Sequence, residues 1–222
     1  MNYGKKWKVD IKRFKCFTLF PWKVKRRTAM LNFLYPSIII MTLIILFFGY
    51  RFFKGYITLV KYLYWIIFGI YITCLVDFTL FPFPYQKYLI QVMIEDHLGN
   101  TNNFVPFKVV VDSIRYGSFS IALKQVGGNI LLFMPLGFAL PVLYPMISKY
   151  KVILVGFTVS LGIEIIQGAT GFILGYNYRS CDIDDLLLNT FGSVLGVIVF
   201  SLSTKFSIEK KNDNQYTKRQ GA

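Results

Sequence analysis

Five apolar runs divide the chain, with polar stretches between them and at both ends. The runs cover residues 33–50, 62–81, 129–146, 152–173 and 184–203. A helix needs about 20 residues to cross a hydrocarbon core that is roughly 30 Å thick, and most of the runs approach that length. The pattern predicts an all-α, polytopic helical membrane protein with about five transmembrane segments.

Composition supports a membrane protein. Of the 222 residues, 55% are hydrophobic and 18% are aromatic, which is too apolar for an ordinary soluble domain. We expect a multi-pass protein of the cell membrane with one main domain at residues 62–203. Residues 33–61 precede that domain as an anchor span or a hairpin, and residues 204–222 follow it as a basic polar tail.

The first 30 residues form a basic, aromatic arm. They hold ten Lys or Arg residues against the single acid Asp10, with Trp and Phe interleaved. Such an arm is expected to lie on a bilayer with anionic lipids, where each basic residue contributes about 1 kcal/mol. The positive charge also fits the cytoplasmic bias of basic residues in membrane proteins, so no nucleic-acid partner is expected.

The first apolar run leaves two topologies open. As a full crossing, it places the arm, the 82–126 connection and the loop before the last run on one side of the membrane. As a hairpin or interfacial segment, which Pro36 and its short length would allow, it places the arm and that loop on opposite sides. The five-span topology is slightly favoured.

Prolines predict two local features in the middle of the chain. Residues 106–116 have one apolar and one charged face, which predicts an interfacial helix that begins at Pro106 and ends at Gly117. In the third run, Pro135 lacks a backbone donor and predicts a kink. The carbonyl group near Leu131 would then be free to bind a water or a side chain.

Polar residues recur at helical spacing in the last two runs. The fourth run carries Ser160, Glu164, Gln167 and Gly171 on one face, and the fifth carries Asp185, Asn189, Gly192 and Gly196. An ionisable side chain at the bilayer centre costs roughly 2.5 to 3.5 kcal/mol, so such groups usually face the interior of a bundle. The two glycines allow close approach of another helix. We expect the two polar stripes to face each other.

Two polar residues in the earlier runs have alternative roles. Asn129 fits either the same polar site or an N-cap at the start of the third run. Asp77 lies in the last turn of the second run. Its carboxylate is either an intramembrane functional group or a side chain that reaches the membrane interface, and the second alternative is slightly favoured.

Three aspartates precede the fifth run and lie close to Arg179. A single carboxylate there can cap the helix, at roughly 0.3 to 2 kcal/mol. Asp182, Asp184 and Asp185 fall within four positions and repel one another unless a cation or proton is shared, which favours a role beyond capping. A metal bound by these three residues would be Mg²⁺ or Ca²⁺, because the ligands are oxygens.

Histidine and cysteine chemistry is largely excluded. His97 is the only histidine and lies in a loop, where a histidine is more often solvated than catalytic. The three cysteines show no metal-ligand spacing and no paired framework.

Five motifs, in order, resemble the VanZ-like family over roughly residues 62–203. They read Thr-Leu-Phe-Pro, Asn-Phe-Val-Pro-Phe, Gly-Gly-Asn-Ile-Leu-Leu-Phe-Met-Pro-Leu-Gly-Phe, Glu-Ile-Ile-Gln and Asp-Ile-Asp-Asp-Leu-Leu-Leu-Asn-Thr-Phe-Gly. The family is named for a membrane protein that raises resistance to the lipoglycopeptide teicoplanin. The resemblance implies that the aspartate loop lies outside the cell. It also carries over as site residues Asn129, Glu164, Gln167, Arg179, Asp182, Asp184, Asp185 and Asn189.

Three functions remain open. The first is protection of a Gram-positive envelope from teicoplanin by an unknown mechanism. The second is an intramembrane enzyme acting on a lipid-linked envelope precursor, with Glu164, Asp185 or Asp184 as acid or base. Arg179 would hold a phosphate, and Asn129, Gln167 and Asn189 would help to bind the substrate. The third, weaker alternative is a small proton or ion transporter.

Overall fold

A computed structural model describes residues 30–31, 33–116 and 119–220, which are helical except for loops and one short strand pair. The elements are β1 (Met30–Leu31), α1 (Leu34–Phe53), α2 (Leu59–Leu80), β2 (Phe83–Pro84), α3 (Lys87–Glu95), α4 (Lys108–Tyr116), α5 (Phe119–Leu143), α6 (Lys149–Leu174) and α7 (Ile183–Gln220). Five helices are long and apolar enough to cross a membrane: α1, α2, α5, α6 and the Ile183–Phe206 part of α7. The predicted all-α, polytopic fold is therefore confirmed. The basic arm, apart from Met30, lies outside the described residues.

The first apolar run forms one continuous helix, not a hairpin. Pro36 lies in the first turn of α1, where backbone N–H groups have no partner within the helix, so proline does not interrupt it. The helix packs on α2 through stacked rings such as Phe48 and Trp65, whose centroids are 4.1 Å apart. Among the described residues, none of α1 is buried. It is therefore a peripheral helix beside the main bundle.

The strand pair fixes the start of α1 at the end of α2. Met30 pairs with Pro84 and Leu31 with Phe83, antiparallel. The start of α1, the α2–α5 connection and the α6–α7 loop thus share one end of the bundle. This arrangement agrees with the five-span topology, in which the arm and the aspartate loop lie on the same side.

The core is built from α2, α5, α6 and α7. Its buried members are Leu75, Phe133, Leu136, Leu140, Val152, Ile163 and Val197. Helices α5 and α7 cross closely because glycines face the partner backbone. A Cβ on Gly192 would meet the Ile130 carbonyl oxygen, and one on Gly196 would meet that of Met134. The predicted small-residue contact is formed between α7 and α5.

Helix α5 begins ten residues before the predicted start of the third span, at Phe119 and not at Asn129. Gly127 and Gly128 both lie inside the helix. A helix can continue through glycines in a membrane because its backbone groups have no water to bind if it breaks. The prediction of Asn129 as an N-cap is therefore wrong.

Pro135 does not end α5, and the kink and the free Leu131 carbonyl stay predictions. Helix α5 runs through Pro135, and the Tyr71 hydroxyl of α2 donates a hydrogen bond to the Leu132 carbonyl oxygen at 2.9 Å. This contact joins α2 to α5.

The long connection contains two short helices. Helix α4 confirms the helix predicted after Pro106, although it starts at Lys108. It starts late because Phe107 has a left-handed φ of 62°. Helix α3 was not predicted.

Candidate functional site

A cavity of about 500 Å³ lies among α2, α5, α6, the α6–α7 loop and the start of α7. We call it the polar cavity. It is lined by Phe78, Thr79, Gly128, Asn129, Leu131, Leu132, Ile163, Glu164, Gln167, Arg179, Asp185 and Asn189. Six of the eight predicted site residues therefore meet in one place. The other two, Asp182 and Asp184, are buried beside it.

The two polar stripes face each other as expected. Asn189 Nδ2 of α7 donates to Ser160 Oγ of α6 at 3.0 Å. One turn earlier on the same face of α7, Asn129 Nδ2 of α5 donates to Asp185 Oδ1. Side-chain hydrogen bonds from two different helices therefore hold the start of α7.

Glu164 contributes a buried carboxylate to the cavity. Its exposed fraction is 5%, and its Oε2 accepts the Asp182 backbone N–H at 2.7 Å. The bond fixes the carboxylate against the loop that leads into α7. Among the described residues no Lys or Arg forms an ion pair with Glu164, so the backbone N–H is its main fixed partner.

Three side chains bind the last carbonyl groups of α2. Gln167 Nε2 donates to the Thr79 carbonyl at 2.8 Å. The Tyr178 hydroxyl donates to the Leu80 carbonyl at 3.2 Å, and Arg179 donates to that of Phe81 at 2.5 Å. The end of a helix leaves such carbonyls without intrahelical partners. Gln167 and Arg179 thus have a structural role in addition to lining the cavity.

The Tyr178 and Cys181 side chains keep their protons at neutral pH. Burial raises the pKa of the Tyr178 hydroxyl, although neighbouring Arg179 opposes the change. Burial also raises the pKa of the Cys181 thiol, and the charges of Glu164 and Asp182 act in the same direction. A protonated thiol is a poor nucleophile, so Cys181 is not a candidate for covalent catalysis.

The three aspartates have separate roles. Asp182 precedes α7, and its Oδ1 accepts the Asp184 backbone N–H at 2.8 Å, which is an N-cap contact. Asp184 is 1% exposed and accepts the Phe107 backbone N–H through Oδ1. Only Asp185 lines the polar cavity. Of the three, Asp185 is therefore the candidate for direct chemistry.

The predicted metal site has no formed ligand set. Within residues 30–31, 33–116 and 119–220, no group of three or more His, Cys, Asp or Glu side chains is placed to hold a metal ion. The carboxylates of Asp182, Asp184 and Asp185 instead bind amide and backbone N–H groups. The geometry gives no support to Mg²⁺ or Ca²⁺ binding, which stays a sequence-based prediction.

Sequence reasoning missed the residue that joins the long connection to the aspartate loop. Asn103 is 6% exposed, and its Nδ2 donates to Asp182 Oδ1 at 2.8 Å and to Asp184 Oδ2 at 3.4 Å. Its backbone also pairs with this loop, through Cys181 and Ile183. The signals in the sequence are an asparagine cluster at residues 100–103 and the Asn-Phe-Val-Pro-Phe motif, which begins at Asn103.

Two buried amide oxygens at the cavity have no partner within the described part of the chain. They are Gln167 Oε1 and Asn189 Oδ1. A buried acceptor without a hydrogen bond costs about 1–3 kcal/mol. With the carboxylates of Glu164 and Asp185, they make the cavity rich in acceptors. Arg179 is the cationic side chain in its lining.

The family comparison matches the part of the chain that builds this cavity. The model of the VanZ/LLP1 family matches residues 68–204, which is more than half of the chain and includes every cavity-lining residue. No curated protein and no solved structure matches the chain. The helix α1 and the arm precede the matched region. The chain therefore belongs to the VanZ/LLP1 family, as its five motifs indicated.

Proposed function

We propose that this protein acts in the cell membrane of a Gram-positive envelope, lowers susceptibility to teicoplanin, and does so through the polar cavity. The observation that carries the proposal is the convergence of Asn129, Glu164, Gln167, Arg179, Asp185 and Asn189 on one cavity. The resemblance to the family supports the link to teicoplanin, and the convergence of these side chains supports the cavity as the site.

The energetic cost of the cavity supports a functional role. Ionisable residues within membrane-spanning segments are costly and usually belong to sites of binding or transport. Hydrogen bonds such as that between Asn189 and Ser160 hold helices together without any charge. A structural role therefore explains the amides better than it explains the carboxylates of Glu164 and Asp185. Charge at the cavity is expected to act on a ligand.

A second candidate, an enzyme acting on a lipid-linked envelope precursor, is favoured by one feature. The cavity combines one guanidinium group, on Arg179, with the carboxyl groups of Glu164 and Asp185. Arginine suits a phosphate because its planar group donates several hydrogen bonds, and a carboxyl group can move a proton. If the protein is an enzyme, a modified precursor is expected to accumulate with time. If it only binds the precursor, no modified precursor is expected.

Susceptibility testing of a sensitive host tests the first candidate. The wild-type protein is expressed in a teicoplanin-sensitive Gram-positive strain, and inhibitory concentrations of teicoplanin and vancomycin are measured beside an empty vector. We expect the inhibitory concentration of teicoplanin to rise and that of vancomycin to stay the same, because only teicoplanin carries a lipid tail. An unchanged teicoplanin concentration at confirmed membrane abundance would exclude the resistance function and leave the enzyme.

A further inference from the structure

We propose that the polar cavity binds a phospholipid head group that carries both a phosphate and a primary ammonium, entering sideways from the bilayer between α2 and α5. The inference rests on the proposed function in that the same cavity is the site. It adds the class of ligand, which family membership does not supply.

The charges in the cavity complement a zwitterion. Glu164 and Asp185 supply two carboxylates, and Arg179 supplies one guanidinium group. Among the described residues, Arg179 makes no ion pair with either carboxylate, so the opposite charges line one space without neutralising each other. One Arg179 nitrogen is bound to the Phe81 carbonyl, but a guanidinium group has five N–H donors. Donors therefore remain for a phosphate oxygen.

The unpartnered acceptors require a donor of hydrogen bonds. Gln167 is 6% exposed and Asn189 is 3% exposed, and the amide oxygen of each lacks a partner within the described residues. A primary ammonium has three N–H donors, enough for a carboxylate and both amide oxygens. A quaternary ammonium of similar charge has no N–H group and would leave both oxygens unpaired. The cavity is thus expected to discriminate ethanolamine from choline.

The lateral opening follows from the exposed apolar part of the lining. Phe78 of α2 is 68% exposed and Leu131 of α5 is 66% exposed, and both border the cavity. Exposed apolar side chains on membrane-spanning helices face the lipid chains. The buried polar groups lie on the inner side of the same cavity. A lipid would keep its acyl chains in the bilayer beside Phe78 and Leu131 while its head group enters.

The size of the cavity is adequate for a head group. Its volume of about 500 Å³ falls within the roughly 300–1,000 Å³ that is usual for small-molecule sites. An anionic head group without an amine would meet two carboxylates and one guanidinium group, so net repulsion opposes it. The ethanolamine phosphate group satisfies both signs of charge together with the amide oxygens.

Native mass spectrometry of the full chain in detergent tests the inference. The protein is titrated with dioleoylphosphatidylethanolamine or with dioleoylphosphatidylcholine, and the first bound lipid is quantified. Both lipids have the same chains and no net charge, so the basic arm does not favour either. We expect about tenfold tighter binding of the ethanolamine lipid, the value of one charge-assisted hydrogen bond. Equal binding, or tighter binding of the choline lipid, would overturn the inference.

A pair of aspartate variants locates the discrimination. Asp185→Asn removes one carboxylate from the cavity but keeps an oxygen that can accept the Asn129 amide, so the fold is expected to persist. Asp77→Asn makes the same change on α2 at a residue that does not line the cavity. We expect the lipid preference to shrink in Asp185→Asn and to stay in Asp77→Asn. An unchanged lipid preference in Asp185→Asn contradicts the inference. The comparison of the two lipids on the wild-type protein tests the inference even if neither variant folds.

The two proposals fail separately. Protection against teicoplanin without a preference for the ethanolamine lipid overturns the ligand assignment and leaves the resistance function. A preference for the ethanolamine lipid without protection leaves the ligand assignment and overturns the resistance function.

Discussion

Asp182, Asp184 and Asp185 are close in sequence, yet their carboxylates have different surroundings, although Asp182 and Asp184 share the Asn103 amide. Asp182 caps α7, Asp184 binds the backbone of Phe107, and Asp185 faces the polar cavity. Because successive residues at the start of a helix point in different directions, neighbouring aspartates need not share a ligand. The repulsion that suggested a shared cation is instead offset by N–H donors, one of which, the Asn103 amide, is shared by Asp182 and Asp184.

At the residue scale, Asn103 and Asp184 are predicted to act as a unit. Asn103→Ala removes donors from two buried carboxylates and is expected to cost about 1–3 kcal/mol of unfolding free energy. Asp184→Ala should cost a similar amount. Because both variants break the same contact, the double variant is expected to cost less than the two single costs added together. The measurement is chemical or thermal unfolding in detergent, and strict additivity would contradict the contact.

The sequence predicted the cavity residues better than it predicted their neighbours. Helical spacing placed Glu164 and Gln167 on one face and Asp185 and Asn189 on another, because spacing within a helix is a local property. Asn103 reaches Asp182 across 79 positions, and no local pattern reports such a pairing. Its role could be found only once the loops were placed side by side.

At the scale of elements, the crossing of α5 and α7 depends on glycine. Gly196→Ala would press a methyl group against the Met134 carbonyl of α5. The helices must then separate, at about 1–3 kcal/mol of unfolding free energy. Gly162→Ala is the matched control, because its added methyl group meets nothing within 4 Å. We expect a lower thermal unfolding midpoint in detergent for Gly196→Ala and an unchanged or slightly higher one for Gly162→Ala.

A result in which the two alanine variants unfold at the same temperature would show that the close crossing does not limit stability.

The same glycines illustrate what the sequence could predict of the elements. The spacing of Gly192 and Gly196 correctly indicated a close helix contact. The start of the third run was placed at residue 129, ten residues late, because the more polar residues 119–128 do not signal a membrane helix by hydropathy alone.

At the scale of the whole molecule, the fold places Met30–Leu31, the α2–α5 connection and the α6–α7 loop at one end of the bundle. The pairing of β1 with β2 and the single continuous helix α1 both require this arrangement. The charge pattern alone left it open, because a hairpin at residues 33–50 satisfied the basic arm equally well. The continuous helix α1 is long and apolar enough to cross a membrane, which agrees with five spans.

Labelling of single cysteines in intact cells is expected to confirm the topology. In a variant without the three native cysteines, one residue at a time is changed to cysteine and treated with a reagent that does not cross the membrane. A cysteine inserted after Met1 and the cysteine of Tyr176→Cys are expected to be labelled from the same side of the membrane. The cysteine of Gly55→Cys is expected to be labelled from the opposite side. Labelling of the arm and the Tyr176 loop from opposite sides would contradict a full crossing by α1.

The whole account depends on the polar cavity as the functional site. The most direct test is teicoplanin susceptibility of a sensitive Gram-positive host that expresses the wild type, Asp185→Asn or Asp77→Asn at equal membrane abundance. We predict protection by the wild type and by Asp77→Asn, and its loss in Asp185→Asn, because only that change removes a charge from the cavity. Equal protection by all three proteins would contradict the account.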